Sequence, residues 1–561
     1  MKKKSLSRQA KLKLDVEIRH RINAGRVAIK DQMVFFRRHF GQVSSDWKAD
    51  ASRVTFADIA ISENLFASLN KDFSDDDYCS EEMSSKDVPL ELKGDFACVV
   101  IGRIPEWYGV LFGCMKLGVV SMPGTNLLTA KDIAYRIQQS GAKAVIVTGE
   151  HTEKVNAIRG ECPTLKHLIV IGSENLGKDW LDFHTLCEAE SPDIDVASVG
   201  PFKSTDMMMA YFTSGTTALP KMVPRDFGYG LAHAATGLFW MDLQEEDIHW
   251  TLTDTGWAKA AWGMLFPQLL LGSTIILFDG KGLDVDQHLN LIRDFKVTTF
   301  CAPPTAYRMF AQTDLKQYDL SSLRRCMGAG EPLNPEVIRY WEEHTGTVIA
   351  DGYGQTETIN IVANFPGQKT KFGSMGQPVP GLDVDVVDEE GNRLPPGEVG
   401  HIAVRTDTAD GIWPPGLFEG YLKAEGGVDQ DAFRNGWYYT GDTARKDEGG
   451  YLWFIGRADD LISSAGYRIS PFEVESALLE HPAVAESAVI GAPDPTRGQV
   501  VKAYIILARG HNGSPELAQN IQDFCKNLTA PYKYPRQIEF VSELPKTISG
   551  KIRRVELREK S

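Results

Sequence analysis

The run Tyr211-Phe-Thr-Ser-Gly-Thr-Thr-Ala-Leu-Pro-Lys221 concentrates hydroxyls, a glycine and a closing lysine. Thr213, Ser214, Thr216 and Thr217 can donate to phosphate oxygens, Gly215 lets backbone N–H groups come close, and Lys221 adds a point charge. Polyphosphate binding is the chemistry such a run suits. It does not follow G-x-x-x-x-G-K-[ST], a pattern found nowhere in the chain. A polar surface loop of the same composition is the ordinary alternative.

Three further stretches carry chemistry. Asp351-Gly-Tyr-Gly-Gln-Thr-Glu-Thr358 sets an aromatic between glycines and ends near a carboxylate, Glu357. Read plainly it is a Gly-rich turn; read chemically, Glu357 suits a hard divalent ion that takes oxygen ligands and few carboxylates. Tyr438-Tyr-Thr-Gly-Asp442 places a carboxylate where two oxygens could accept from a vicinal diol, or it is a Thr-Gly-Asp turn and no more. Leu544-Pro-Lys-Thr-Ile-Ser-Gly-Lys-Ile-Arg-Arg554 is a cationic segment which, on charge alone, reads as a solvated face.

The elements that must position these stretches follow from the apolar pattern. From Leu92 short apolar runs alternate with helical ones: strands at 96–101, 119–123, 144–148 and 168–171, helices at 105–117 and 130–140. The alternation recurs with strands at 275–278 and 298–301 around a helix at 286–295. Such βαβ repetition predicts α/β architecture, with two doubly wound sheet subdomains before about residue 375. After Gly376 the texture becomes β-rich: strands at 384–387 and 400–404, and a Gly449-Gly450 turn returning into 451–455, together suggest a small barrel-like sheet. Near Arg457 a small α+β C-terminal domain is expected, with a helix started by Ser470 as N-cap, Pro471 and Glu473 in a capping box. The expected division is 1–456 and 457–561. Residues 1–60 read as charged and mostly helical, with a short strand at 54–56 and a helix at about 57–70, and 72–86 as an acidic, Ser-rich loop.

Composition bounds the rest. A chain of 561 residues is too long for one ordinary core. A net charge of −15 argues against a nucleic-acid partner, which would need a basic face. The eight cysteines form no C-x-x-C pair, so neither a zinc site nor a disulfide framework is indicated. No apolar run approaches the roughly 18 residues of a membrane span. The basic start, Met1-Lys-Lys-Lys, meets Asp15 and Glu17 with no apolar core after it, so no secretory signal is expected. A cytoplasmic setting is expected, with a mitochondrial presequence the less favoured reading.

The four stretches, in this order, resemble the motifs of the acyl-adenylate-forming superfamily of acyl-CoA synthetases, luciferases and peptide-synthetase adenylation domains. The resemblance covers about residues 92–561. Pro105-Glu-Trp-Tyr108, Asp254-Thr-Gly-Trp257, Asp494-Pro-Thr-Arg-Gly498 and Ala530-Pro-Tyr-Lys-Tyr-Pro-Arg536 resemble the medium-chain acyl-CoA synthetases within it. It implies a two-step, AMP-forming ligase that joins a medium-chain, branched or aromatic acid to CoA, using ATP and Mg²⁺. Thr213, Ser214, Gly215, Thr216, Thr217 and Lys221 would form the phosphate loop, and Gly328, Gly330 and Glu331 the adenine-lining turn. Asp351, Gly352, Tyr353, Gly354, Gln355 and Thr356 would line the nucleotide site, Tyr353 stacking on adenine and Thr356 bonding the α-phosphate. Glu357 would hold Mg²⁺, and Asp442 and Arg457 the ribose. Lys551 would be the adenylation lysine, flanked by Lys546. Asp459 matches the hinge about which the mobile C-terminal domain turns. Gly466, Tyr467, Arg468, Arg497, Tyr532 and Lys533 are the CoA candidates. Trp257, Trp262 and Phe266 are candidate acyl-pocket walls, and Lys259 either narrows that pocket or extends outward to solvent. The implied partners are small molecules, and a homodimer is compatible with them. The family usually has Gly where this chain has Ala218; if that position needs positive φ, Ala costs about 1 kcal/mol. Loading of a carrier-protein thiol, and nucleotide binding without turnover, are the competing readings.

Overall fold

The computed structural model describes residues 94–561 other than 174–176, 178, 190–202, 214–218, 281, 332, 409–410, 412, 466, 531 and 548–550. The expectations for residues 1–86, Ser214, Gly215, Thr216, Thr217, Ala218 and Gly466, and for the side chain of Arg468, lie outside what is described.

The first sheet is built from β1 (Phe96–Val100), β2 (Val120–Pro123), β3 (Ala144–Thr148), β4 (His167–Ile171), β5 (Trp180–Asp182), β6 (Met207–Phe212) and β7 (Met222–Asp226). Its order is β7-β6-β2-β1-β3-β4-β5, parallel except where β7 returns against β6. The strands are short, continuous apolar runs because both faces are covered. Helix α1 (Glu106–Leu117) buries Trp107, Tyr108, Val110 and Leu111 on one face. Helix α2 (Ala130–Ser140) buries Ile133, Ala134 and Ile137 on the other, and starts at a full capping box between Thr129 and Asp132.

The second sheet comprises β8 (Ile248–Thr251), β9 (Thr274–Ile275), β10 (Thr299–Ala302), β11 (Arg325–Gly328), β12 (Ile349–Gly354), β13 (Asn360–Ala363) and β14 (Gln377–Pro378), in the order β14-β13-β12-β11-β10-β8-β9. The strand expected at 275–278 is shorter than its apolar run. β9 is an edge that pairs with β8 at two residues only, while Ile276 and Leu277 are buried by packing without a ladder. The two sheets lock through their loops. Tyr108 donates its hydroxyl to the Met264 carbonyl at 2.7 Å, and Gly256 sits so close that a Cβ there would fall 1.9 Å from the Thr125 nitrogen.

The third sheet is antiparallel and curled about its longest strand. It holds β15 (Val384–Val387), β16 (Val399–Arg405), β19 (Phe433–Arg434), β20 (Trp437–Lys446) and β21 (Leu452–Arg457). β20 carries β16 along one side, β19 at its start and β21 along its second half. The intervening β17 (Tyr421–Leu422) and β18 (Val428–Asp429) leave this sheet and extend the first one, Leu422 pairing with Met222 of β7.

The fourth sheet has β22 (Ile462–Ser464), β23 (Tyr467–Ile469), β24 (Val484–Asp494), β25 (Gly498–Leu507) and β26 (Gln537–Phe540). One face packs on α3 (Pro471–Leu479) and α4 (Pro515–Leu528), and the other carries Leu557 of α5 (Arg554–Glu559). Ser470 caps α3 as expected, accepting from the Glu473 N–H at 3.1 Å. Only half of the expected capping box forms, because the Glu473 carboxylate pairs with Lys533 at 2.8 Å. Among the described residues no helix is long and apolar enough to cross a membrane, and seven cysteines are buried.

Candidate active site

The carboxyl ends of the parallel strands β8, β10, β11 and β12 open into a cleft of about 1230 Å³. Residues just beyond those ends line it: Thr253 after β8, Pro303 after β10, Gly330 and Glu331 after β11, and Gln355, Thr356 and Glu357 after β12. Crevices at the carboxyl ends of open α/β sheets are where such folds bind ligands. The opposite wall comes from β20 and β21, through Asp442 and Arg457, and from the C-terminal segment, through Lys551.

The phosphate run connects the antiparallel strands β6 and β7. Its neck is closed by Thr213 N–H donating to the Lys221 carbonyl at 2.9 Å and Lys221 N–H donating to Thr213 Oγ1 at 3.0 Å. The sequence reading did not assign these flanking strands. Thr213 and Lys221 both line the cleft.

Asp442 is the hub of this opposite wall. Its Oδ2 accepts from the Tyr353 hydroxyl at 2.6 Å and from Gln355 Nε2 at 2.7 Å. Gln355 Nε2 also donates to the Thr440 carbonyl at 2.9 Å, and its Oε1 accepts from the Tyr438 hydroxyl at 3.0 Å. Arg457 Nη1 stands 3.7 Å from Asp442 Oδ1. Burial pushes the Asp442 carboxyl above the usual range, outweighing the opposing charge of Arg457, the Tyr353 hydrogen bond and the more distant charge of Lys551. Asp351 is raised further, again by burial, while its Oδ1 accepts from Gly352 N–H at 2.9 Å. Gly354 is required by close approach: a Cβ there would meet the Ile359 carbonyl oxygen at 2.3 Å. Gly328 ends β11, behind the turn. Glu331, expected at the nucleotide, accepts from Thr305 Oγ1 at 2.8 Å and from Arg308 Nη2 at 3.1 Å.

Glu357 was legible, but its partner was not. The Tyr421 hydroxyl donates to Glu357 Oε1 at 2.7 Å, and nothing in the sequence around Gly420-Tyr421 marks that role. Among the described residues no group of three or more His, Cys, Asp or Glu could hold a metal. The Glu357 carboxylate in a cleft that Thr213 and Lys221 also line fits a hard divalent ion that would complete its shell with phosphate oxygens and water.

Lys551 is bonded back to Thr547. Its N–H donates to Thr547 Oγ1 at 3.1 Å and its carbonyl accepts from Thr547 N–H at 2.7 Å. Lys546 faces Glu486 at 2.9 Å. Three residues past Lys551, Arg554 is anchored, its Nη2 contacting both Glu475 oxygens at 2.7 and 2.8 Å and its Nη1 3.5 Å from Asp460 Oδ2. Arg558 also bonds Asp460 and reaches the Asp459 carbonyl. On the other side of Asp459, Ala458 N–H donates to the Gly441 carbonyl at 2.9 Å.

Two expected groups are not in this cleft. Of the CoA candidates, Tyr467 and Tyr532 stack at 4.3 Å on the surface, Lys533 is paired with Glu473, and Arg497 accepts at its carbonyl from Ala465 N–H at 2.9 Å. Of the acyl-pocket walls, Trp262 packs on Trp240 at 5.5 Å and Phe266 on Tyr229 and His233. Both belong to the core, turned there by a π-helical stretch, Ala261–Leu265, that sequence periodicity does not reveal. Trp257 precedes the short helix Ala258–Ala260 and does not line the cleft. Lys259 is turned inward, against the outward alternative, and donates to the Ala329 carbonyl at 3.2 Å. Burial lowers its pKa.

Two family descriptions match the chain: "AMP-binding enzyme" over residues 92–422 and "AMP-binding enzyme C-terminal domain" over 473–551. The chain belongs to the AMP-binding enzyme family. Among its relatives in this family is acyl-coenzyme A synthetase ACSM4, mitochondrial, of Rattus norvegicus, 46% identical over 470 residues, 83% of this chain and 80% of that one. The human acyl-coenzyme A synthetase ACSM5, mitochondrial, is 46% identical over 471 residues, 83% of this chain and 79% of its own. A solved structure of the anthranilate CoA ligase AuaEII with anthranoyl-AMP superposes with a TM-score of 0.80 at 31% identity, covering 94% of this chain and 96% of the other. This AMP-binding enzyme is an AMP-forming acyl-CoA synthetase, an acid–thiol ligase that uses ATP. The expected cytoplasmic setting is corrected by the same relatives, which are described as mitochondrial. Cysteine usage, on which that expectation rested, reports a reducing compartment and does not distinguish one from another.

Proposed function

We propose that this chain activates a medium-chain, branched or aromatic carboxylic acid with MgATP and then transfers the acyl group to CoA from within one cleft. The observation that carries it is a single cavity lined by Lys551, Glu357 and Asp442, a cation and two carboxylates drawn from distant parts of the chain. The aromatic option draws support from the likeness to an anthranilate ligase. Thr213, Lys221 and the loop between them bind the polyphosphate. Asp442 and Arg457 orient the ribose, and Lys551 neutralises charge that develops as the acid's carboxylate attacks the α-phosphorus. Glu357 would hold Mg²⁺, which when bound supplies charge neutralisation on the phosphate oxygens. After pyrophosphate leaves, the unit beyond Asp459 turns, withdrawing Lys551 and presenting the Tyr467–Tyr532 surface for the thiol step. The boundary of that unit is proposed at 456/457. Asp459 lies between Ala458, which bonds Gly441, and Asp460, which bonds Arg558, and its own contacts are with Arg457 and Arg558.

The test is acid-dependent pyrophosphate release with MgATP, with and without CoA, across acetate, butyrate, octanoate, 2-methylbutyrate and benzoate. CoA-dependent turnover with one of the last three supports the reading. Turnover confined to acetate, or acyl transfer only to a carrier-protein thiol, overturns it.

The Asp442 role has a pH signature. Below its raised pKa the carboxyl holds a proton and accepts fewer bonds from a diol, so AMP affinity falls as pH drops through a midpoint above that of ordinary aspartate. Asp442→Asn binds AMP weakly at every pH and loses this dependence, as isothermal titration from pH 4 to 8 would report. A pH-independent wild type would contradict the assignment.

A further inference from the structure

The proposed chemistry needs Glu357 and Lys221 held in fixed positions, and one side chain touches both. The Tyr421 hydroxyl donates to Glu357 Oε1 at 2.7 Å. The face of the same ring carries the Lys221 ammonium 4.4 Å from its centroid. Lys221 Nζ lies 3.5 Å from Asp429 Oδ2, and Asp429 pairs with Tyr421 across the β17–β18 hairpin. The hairpin itself is registered on the phosphate loop, because Leu422 pairs with Met222, the residue after Lys221. Glu357 Oε2 accepts from no donor among the described residues, so the phenol holds one oxygen of a carboxylate that lines the cleft and leaves the other without a partner among those residues.

We propose that Tyr421 is a positioning residue for nucleotide binding: its hydroxyl orients the Glu357 carboxylate toward a divalent cation, and its ring holds the Lys221 ammonium against the polyphosphate. The assignment rests on the reading of Glu357 as the cation's carboxylate. A carboxylate that ligates a cation binds better when an outer partner holds its rotamer, and loss of such a partner lowers metal affinity about tenfold or more. The ring contact is a cation–π interaction, which restrains a lysine without neutralising it. The two functions of one side chain are therefore separable by substitution.

Electron paramagnetic resonance of Mn²⁺ with ATP, on the full chain, reads the first function without turnover. In Tyr421→Phe the ring remains. Mn²⁺ affinity in the presence of ATP is expected to fall about tenfold, with ATP affinity in EDTA unchanged. Tyr421→Leu removes the ring as well, and ATP affinity in EDTA falls too. In turnover, Tyr421→Phe raises the KM for MgATP more than it lowers kcat, and excess Mg²⁺ restores much of the rate. Glu357→Gln is the control. If Glu357→Gln weakens Mn²⁺ binding and Tyr421→Phe does not, the role of Tyr421 is overturned while the reading of Glu357 stands. If Glu357→Gln leaves Mn²⁺ binding intact, the reading of Glu357 fails and this proposal with it.

Discussion

Lys551→Ala lowers acyl-AMP formation about a hundred- to a thousand-fold, the loss that follows removal of one group aimed at developing charge, yet largely spares thioester formation from acyl-AMP supplied ready-made. The asymmetry follows from geometry. Lys551 lines the cleft with Glu357 and Asp442, which places it in this arrangement at the site proposed for the polyphosphate. It rides on the unit proposed to begin at Arg457, where Ala458 bonds Gly441 just before Asp459 and Asp460 bonds Arg558 just after it. A lysine on such a unit can leave after the first half-reaction. The measurement is single-turnover formation of acyl-AMP against single-turnover transfer to CoA, in the same preparation. Equal loss in both steps would sink the account in which the unit turns between them.

Arg554→Ala is expected to destabilise the C-terminal unit by about 3 kcal/mol, since it strands a paired carboxylate without its cation. Glu475 is 10% exposed at its side chain and Arg554 20%, and each is the other's principal partner. Glu475 Oε1 also accepts from Val489 N–H at 2.8 Å, which draws β24 into the same cluster. Because Arg554 follows Lys551 by three residues, its loss frees the lysine as well, and acyl-AMP formation falls with stability. The double variant Arg554→Met, Glu475→Leu removes both charges, and it recovers most of the stability in a urea melt. A single variant with an unchanged melting midpoint would show that this ion pair contributes nothing.

The sequence revealed order and chemistry better than geometry. Strands β1 to β4 of the first sheet were legible because burial on both faces leaves unbroken apolar runs such as Ala144-Val-Ile-Val-Thr148. Asp442, Glu357 and Lys551 were legible through the resemblance of their motifs to a family, since each motif read alone had an ordinary turn or solvated-face alternative. Trp262 and Phe266 did not reveal their direction, because a π-helical turn shifts which residues share a face. Tyr421 was invisible for a different reason. Its contact with Glu357 spans 64 positions, and no local pattern records a bond of that range. The strand at 275–278 was overcalled because an apolar run predicts burial, and Leu277 is buried without belonging to a ladder.

The β17–β18 hairpin lies in sequence among the strands of the third sheet and in space on the first. A fragment ending before residue 421 would therefore leave β7 as an open edge, with its N–H and C=O groups free to pair with another chain. Such a fragment should aggregate, although its parallel sheet is complete. Nascent chains emerging from a ribosome would hold this edge unprotected until residues 421–429 have been made, and chaperone demand should peak in that interval.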